Sequence, residues 1–293
     1  MVSKTTKVYL HVSANSKLFR EYIGAESDSI KLSQVPINSH VEFHFILAFA
    51  VDYTSGSKTP SPTNGNFNAF WETKHVSPAE IASIKYIHSN VKLALSLGGD
   101  TVGNKKAFFA PKSIDSWVQN AIHSLTNMIN LYHIDGIDID YEHFATDHNT
   151  FVECIGRLII SLKKSRTISF ASIAPFDDDD GPLQKHYKAL WNKYGNVIDY
   201  VNFQFYAYEK LSVPQFVKYF NKQASNYKGG QILASFISDG GQGLGPGDGF
   251  FEACKELMGH GKLGGIFIWC ADESVRYGFK HEKTSQNLLV STT

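Results

Sequence analysis

Short apolar segments alternate with amphipathic segments along almost the whole chain, and this alternation limits the fold more than any other feature. Five segments carry apolar residues at helical spacing, namely 77–88, 113–133, 148–165, 213–225 and 247–261. Eight others have the length and content of buried strands, namely 18–24, 41–53, 91–99, 134–142, 167–175, 200–208, 230–238 and 264–271. Strand and helix alternating over 293 residues predict an α/β protein, a parallel (β/α)8 TIM barrel in a single domain.

An open, doubly wound sheet is the structural alternative. No glycine-rich dinucleotide fingerprint follows the first strand, and the glycine-rich segment 238–249 contains no G-x-G-x-x-G, so we interpret it as a loop. No internal repeat or low-complexity linker is visible, which favours one continuous unit. We predict a barrel over residues 17–293, with 1–16 as an N-terminal extension or a cloning remnant.

The charge balance and the cysteines exclude several function classes. Lys plus Arg equals Asp plus Glu, 28 each, which argues against nucleic acid or an anionic membrane as a partner. The three cysteines and twelve histidines show no metal-ligand spacing, so no metal and no cofactor are expected. The acidic run 177–180 is predicted to be a solvated loop, because a calcium loop spaces its oxygen ligands.

Four carboxylates fall within eight positions of the segment HIDGIDIDYEHF (133–144), which otherwise resembles a core strand. Alternate side chains of a strand share one face, so Asp138, Asp140 and Glu142 point the same way, about 6.6 Å apart. In a barrel they would line the interior, with Glu142 at the carboxyl-terminal rim where barrel enzymes do their chemistry. Crowded carboxylates cannot all ionise cheaply, so at least one should hold a proton at neutral pH. The alternative is that some of them reach solvent and the others make structural hydrogen bonds.

The sequence DGIDIDYE resembles the D-G-x-D-x-D-x-E signature of family 18 glycoside hydrolases, the chitinase family, at every defined position. SLGG (96–99), QFY (204–206) and GGIFIW (264–269) resemble motifs of that family's third, sixth and eighth strands. FREYIG (19–24) and IAP (173–175) are similar to the branch that holds bulb-type plant chitinases and the seed protein narbonin. The resemblance extends over nearly all of the chain from Lys17 onward.

This resemblance implies hydrolysis of β-1,4-linked N-acetylglucosamine polymers with retention, in which the acetamide oxygen of the substrate is the nucleophile. Glu142 is implied as the general acid and then the general base. Asp140 would hold the acetamide N–H and stabilise the positive charge that develops, while Asp138 would share a proton with Asp140. Tyr206 would donate a hydrogen bond to the acetamide carbonyl.

The resemblance also implies a sugar-binding surface, since an aromatic ring suits the apolar C–H face of a sugar. Trp269 is the expected floor for the reacting sugar; the alternative is an ordinary core or rim tryptophan. The other positions expected to line subsites are Tyr22, Phe49, Gly99 and Gln204. Members of the family carry cis non-proline peptides near the site, which places them here at Ala48–Phe49 and Trp269–Cys270.

The implied partner is a chitooligosaccharide, bound by a monomer with no nucleic-acid or membrane partner. The family suggests a secreted or vacuolar protein, although the first residues contain no clear signal peptide. His143, next to Glu142, is expected to be a rim side chain and not a metal ligand.

Three functions are compatible with the motif. The first is an endo-acting chitinase, whose substrates would extend to lipochitooligosaccharides. The second is a catalytically inactive, narbonin-like storage or chitooligosaccharide-binding protein, and the third is an endo-N-acetylglucosaminidase. Narbonin-type sequences keep the glutamate but lose part of the aspartate pattern. Here the complete set favours the enzyme: Asp138, Asp140, Glu142 and Tyr206.

Overall fold

Eight parallel strands form the predicted barrel in the computed structural model, which describes residues 15–26, 30–176 and 181–291. The strands are β1 (Leu18–Ile23), β2 (Glu42–Val51), β3 (Val91–Gly99), β4 (Gly136–Tyr141), β5 (Phe170–Ile173), β6 (Tyr200–Val201), β7 (Gln231–Ile232 and Ala234–Ile237) and β8 (Ile266–Trp269). Neighbours in the sheet follow the order β6, β5, β4, β3, β2, β1, β8 and β7. The first part of β7 pairs with β6 and the second with β8, which closes the ring.

Helices cover the outside of the barrel, as the βαβ pattern predicts. They are α1 (Pro78–Ile87), α2 (Ile114–Tyr132), α3 (His148–Lys164), α4 (Pro182–Tyr194), α5 (Val213–Asn226), α6 (Phe250–Gly259), a single turn α7 (Ala271–Ser274) and α8 (Lys280–Val290). In the described part of the β1–β2 connection there is only a 3-10 turn, Leu32–Gln34. Ser113 caps the start of α2, since its Oγ accepts a hydrogen bond from the Ser116 N–H.

Helices α4 and α8 were not predicted from the sequence. In α8 the buried face is largely polar and includes Glu282, Ser285 and Gln286, so apolar periodicity alone does not reveal it. The buried positions of α4 include Gln184 between Leu183 and Tyr187, which weakens the apolar stripe in the same way.

The predicted sixth strand, 200–208, is wrong beyond its first two residues. Strand β6 ends at Val201, and Phe205–Ala207 form a 3-10 turn. The chain stays bonded to its neighbour for a short distance, since Asn202 N donates to Ile173 O and Gln204 N donates to Pro175 O. Phe205 N then donates to Ser235 Oγ, a side chain, and the ladder stops there.

The outer face of β4 packs as predicted. Ile137, Ile139 and Tyr141 are buried in the main hydrophobic core between the sheet and the helices. Tyr187 of α4 fastens this strand, because its hydroxyl donates to the carbonyl oxygens of Ile139 and Tyr141 at 3.2 and 3.0 Å. The face of β4 that carries Asp138 and Asp140 is therefore directed into the barrel interior.

The remaining sequence features are the cysteines, the helices, the acidic run and the N-terminal boundary. Among the described residues, the three cysteines are buried and unpaired, and no helix combines the length and the apolar content that crossing a bilayer requires. The acidic run 177–180 and residues 1–14 lie outside the described residues. The domain boundary at residue 16 stays a prediction.

A buried pair of glutamates joins β1 to α8. Glu21 and Glu282 are both fully buried, and no donor from the described residues reaches any of their four carboxyl oxygens. The two carboxyls lie close enough to share a hydrogen bond, which requires a proton on one of them. Burial, and then the Glu282 charge and its hydrogen bond, hold the pKa of Glu21 well above its usual range.

We expect this pair to make folding stability fall as pH rises. A carboxyl whose pKa is raised in the folded state contributes stability that is complete below its unfolded pKa, about 4.3, and is lost as pH rises towards the folded pKa. Glu282→Gln replaces the like charge by an amide donor, and should add about 1–2 kcal/mol to the free energy of unfolding at pH 8. Urea unfolding at pH 4.5 and pH 8 measures this, with the exposed Glu256→Gln of α6 as control. A Glu282→Gln variant no more stable than the control at pH 8 would contradict the prediction.

Candidate active site

The three acids of β4 meet at one end of the barrel, as the period-two pattern predicts. Asp138 and Asp140 are buried in the interior, and Glu142 follows the strand at the carboxyl-terminal rim, where it is partly buried. Glycines at the end of β3 allow this close approach. Gly98 has φ +109°, and a Cβ there would lie 2.9 Å from the Tyr141 ring, so only glycine fits beside β4.

Asp138 is held by four neutral donors. Tyr22 Oη and Ser96 Oγ donate to its Oδ2 at 2.8 and 2.9 Å, and Ser172 Oγ and Asn202 Nδ2 donate to its Oδ1 at 2.6 and 2.9 Å. A carboxylate has about four lone-pair sites, and all are occupied here. The four hydrogen bonds fix the position of Asp138 inside the barrel, and the proton that it was expected to share with Asp140 stays a prediction.

A buried cation lies beneath Asp138. Arg20 Nη1 donates to Asn202 Oδ1 at 2.9 Å, and Asn202 in turn donates to Asp138. The Arg20 guanidinium lies over the rings of Phe170 and Tyr200, at 5.7 and 5.2 Å from their centroids. Burial lowers the pKa of Arg20 and the Asp138 charge opposes this, so the guanidinium balances the negative charge of the acids.

The pKa values of Asp140 and Glu142 are both raised above their usual range. Gln204 Nε2 donates to Asp140 Oδ1 and to Ala174 O, both at 3.0 Å. Burial raises the pKa of Asp140 well above its usual range, and the charges of Glu142 and Asp138 raise it further. Burial, followed by the charge of Asp100, raises the pKa of Glu142 to about 7. These shifts agree with the expectation that one carboxyl of the cluster stays protonated.

Aromatic side chains surround the acids at the rim. The Trp269 ring is partly buried, 5.3 Å from the Tyr22 ring and 5.9 Å from the Phe49 ring, between centroids. Tyr22 is buried and its hydroxyl donates to Asp138, so its ring supports Trp269 from inside the barrel. Both predicted cis peptides, Ala48–Phe49 and Trp269–Cys270, are present. Gly99, at φ +83°, leaves room for Phe49, whose ring a Cβ would meet at 3.0 Å.

Tyr206 follows β6 in the 3-10 turn and is partly buried near the acids. Burial, and then the charges of Asp140 and Glu142, raise the pKa of its phenol well above the usual range. Tyr206 is therefore a neutral hydroxyl that can donate a hydrogen bond towards the cavity.

Comparison with known proteins identifies the family. The model of glycosyl hydrolases family 18 matches residues 22–235. The chain belongs to family 18 of the glycosyl hydrolases. It is 58% identical over 277 residues to Chitinase 1 of Tulipa saxatilis subsp. bakeri, and the aligned region covers 94% of this chain and 87% of that protein.

One solved structure and one further plant protein are also similar to this chain. The crystallographic structure of a family 18 chitinase from Crocus vernus matches with a TM-score of 0.90 at 50% identity, over 94% of this chain and 100% of that chain. The RuBisCO-associated protein of Glycine max is 32% identical over 196 residues, 66% of each chain. The predicted family and barrel fold are thus confirmed.

Several polar residues of this family 18 chain were missed by sequence reasoning. Ser172, Asn202 and Arg20 all touch or support Asp138, yet they come from β5, the end of β6 and β1. Arg20 could have been found from period two, because residues 18, 20 and 22 of β1 share one face.

Asp52 was also missed, and it lies on the outer side of β4. It accepts hydrogen bonds from Trp117 Nε1 and Tyr141 Oη, both at 2.9 Å, so it supports the strand and does not face the cavity. No cluster of the described residues has three His, Cys, Asp or Glu side chains arranged to hold a metal ion. His143 lies at the rim as expected, bonded to Asp100.

Proposed function

We propose that this chain is an endo-acting chitinase that hydrolyses β-1,4-linked N-acetylglucosamine oligomers with retention, by substrate-assisted catalysis. The observation that supports this most directly is the state of Glu142, a partly buried acid at the rim whose raised pKa of about 7 keeps a donatable proton. The two plant relatives named chitinase, at 58% and 50% identity, support the same substrate class.

In the first step Glu142 donates its proton to the glycosidic oxygen, and the bond from that oxygen to the anomeric carbon breaks. The acetamide oxygen of the same sugar attacks the anomeric carbon and forms a cyclic oxazolinium ion. Asp140 accepts a hydrogen bond from the acetamide N–H and stabilises the positive charge, while Tyr206 donates to the acetamide oxygen and aligns it.

In the second step Glu142, now a carboxylate, removes a proton from a water molecule that attacks the anomeric carbon. The oxazolinium ring opens and the product leaves with the β configuration, so configuration is retained. Trp269 supplies the apolar floor under the reacting sugar, and Phe49, Gly99, Gln204 and Tyr22 shape the subsite around it.

The unit that performs this reaction is the barrel over residues 17–293, acting as a monomer on soluble chitooligosaccharides. The β-1,4-linked backbone of lipochitooligosaccharides contains the same acetamide groups, so these compounds fall within the proposed substrate class.

Incubation with chitin tetramer to hexamer tests the proposal, with cellohexaose and fully deacetylated oligomers as controls. Because the substrate supplies the nucleophile, cleavage should require the acetamide group, and early products should be β-anomers by proton NMR. Cleavage of an N-glycan core alone would instead support an endo-N-acetylglucosaminidase. Binding of the oligomers without turnover would instead support the inactive, narbonin-like protein.

A further inference from the structure

An exposed acidic side chain lies next to Glu142 on the barrel rim. Asp100 follows Gly99, the last residue of β3, and Gly99 pairs with Tyr141 in the register of β3 and β4. The next residue on each strand is therefore Asp100 on one side and Glu142 on the other. The Asp100 side chain is 59% exposed, whereas the side chain of His143, which follows Glu142, is 19% exposed.

His143 holds Asp100 in place. Its Nε2 lies 2.7 Å from Asp100 Oδ1, within hydrogen-bond distance. The His143 backbone is itself fixed, because His143–Phe144 pair with Phe108–Phe109 in a short parallel ladder. The Phe108 ring lies 5.6 Å from the His143 ring, between centroids. On the other side, Ala107 N donates to Asp100 O at 2.8 Å and closes the hairpin that begins at Thr101.

We propose that Asp100, held by His143, is a positioning residue that keeps the proton on Glu142 and thereby sets the upper pH limit of catalysis. This inference rests on the proposed function, because it assigns a task to Glu142 as the acid. Asp100 reaches the reaction only through the electric field that it exerts on the Glu142 carboxyl.

The physical reason is repulsion between like charges. Ionisation of Glu142 places a second negative charge beside the Asp100 carboxylate, so the protonated form of Glu142 is favoured. Burial is the larger cause of the raised pKa of Glu142, and the Asp100 charge is the next. Asp100 can also be substituted with less effect on the fold than Asp138 or Asp140, because those two side chains are buried and make hydrogen bonds inside the barrel.

The other titratable groups around Glu142 lie inside the barrel, on neighbouring elements or next to Glu142 in the sequence. They are Asp138 and Asp140 on β4, Tyr206 after β6, Tyr187 on α4 and the adjacent His143. Two of these groups also sense Asp100, since its charge contributes to the raised pKa of Asp140 and its carboxyl is hydrogen-bonded to His143. The Glu142 carboxyl must therefore be followed directly as well as through the pH profile.

The test is the pH profile of kcat/KM on chitin pentamer for the wild-type chain and Asp100→Asn. We expect the alkaline limb to move to lower pH by about half a pH unit, since the charge is near but more than half exposed. The shift should shrink in 1 M salt, where the Debye length is about 3 Å. In a His143→Leu background it should also shrink, because an untethered Asp100 can turn to water.

Asp239→Asn is the matched control. Asp239 is an exposed aspartate just after β7, and β7 is four strands from β3 around the eight-stranded ring. This variant removes the same charge from the opposite side of the rim, so it should leave the alkaline limb unmoved. An equal shift in both variants, or an Asp100→Asn variant that changes KM without moving the limb, would overturn the proposal.

The proposal can be separated from the proposed function by a measurement without turnover. Carbon NMR titration of the Glu142 side-chain carboxyl, assigned with Glu142→Gln, should show the same downward shift in Asp100→Asn. If the chain hydrolyses no chitin oligomer, the proposed function fails, and the titration still decides whether Asp100 raises the pH at which Glu142 ionises.

Discussion

Glu142→Gln should lower kcat on chitin oligomers by about 10²- to 10⁴-fold, the range associated with loss of a general acid–base group. Gln has the shape of Glu but no acidic proton, so the glycosidic oxygen would leave without protonation. KM should change little, because the proton transfer belongs to the transition state and contributes nothing to ground-state binding. Steady-state kinetics on chitin pentamer measure both quantities.

The same variant should fold at least as stably as the wild-type chain. Glu142 is partly buried beside two other acids, and removal of its ionisable group relieves repulsion that the site otherwise maintains. Glu209→Gln is the control, since Glu209 is an exposed glutamate soon after Tyr206 at the same end of the barrel. A Glu142→Gln variant that is fully active would show that another group supplies the proton.

The second large effect is expected from Asp140→Asn, which should lower kcat by about 10²- to 10³-fold, as for the loss of one group that stabilises charge in a transition state. The amide can still accept the hydrogen bond that Gln204 donates at 3.0 Å, so the shape of the site is kept. What disappears is the negative charge that balances the oxazolinium ion and a hydrogen-bond acceptor of full strength for the acetamide N–H.

The pH dependence distinguishes this effect from a simple loss of structure. Asp140 and Glu142 repel each other when both are ionised, so the neutral amide of Asp140→Asn should move the alkaline limb of residual activity to lower pH. Asp239→Asn provides the control here as well, since it removes an exposed carboxylate from the same rim. Unchanged kcat together with a raised KM would assign Asp140 to ground-state binding alone.

Much of the site could be predicted because it is encoded locally. Period two in residues 133–144 separates Asp138 and Asp140 from Ile137 and Ile139 without any knowledge of their neighbours, and the structure places the two sets on opposite faces of β4. The alternation of strands and helices indicated the barrel, and the family motifs then led to both cis peptides.

The environment of each acid could not be predicted in the same way. The four donors to Asp138 come from positions 22, 96, 172 and 202, which only strand pairing around the barrel brings together. The early end of β6 also depends on a contact between residues far apart in sequence. The Phe205 N–H donates to the Ser235 side chain on a different strand and does not continue the ladder.

The sequence by itself therefore determined the fold class, the family and the face on which three carboxylates lie, because side-chain periodicity depends only on a residue's nearest neighbours along the chain. Tertiary structure alone decided the electrostatics of those carboxylates: the filled lone pairs of Asp138, the buried Arg20 beneath it and the Asp100 charge beside Glu142. These terms depend on distance and burial, and both are set by contacts between residues far apart in sequence.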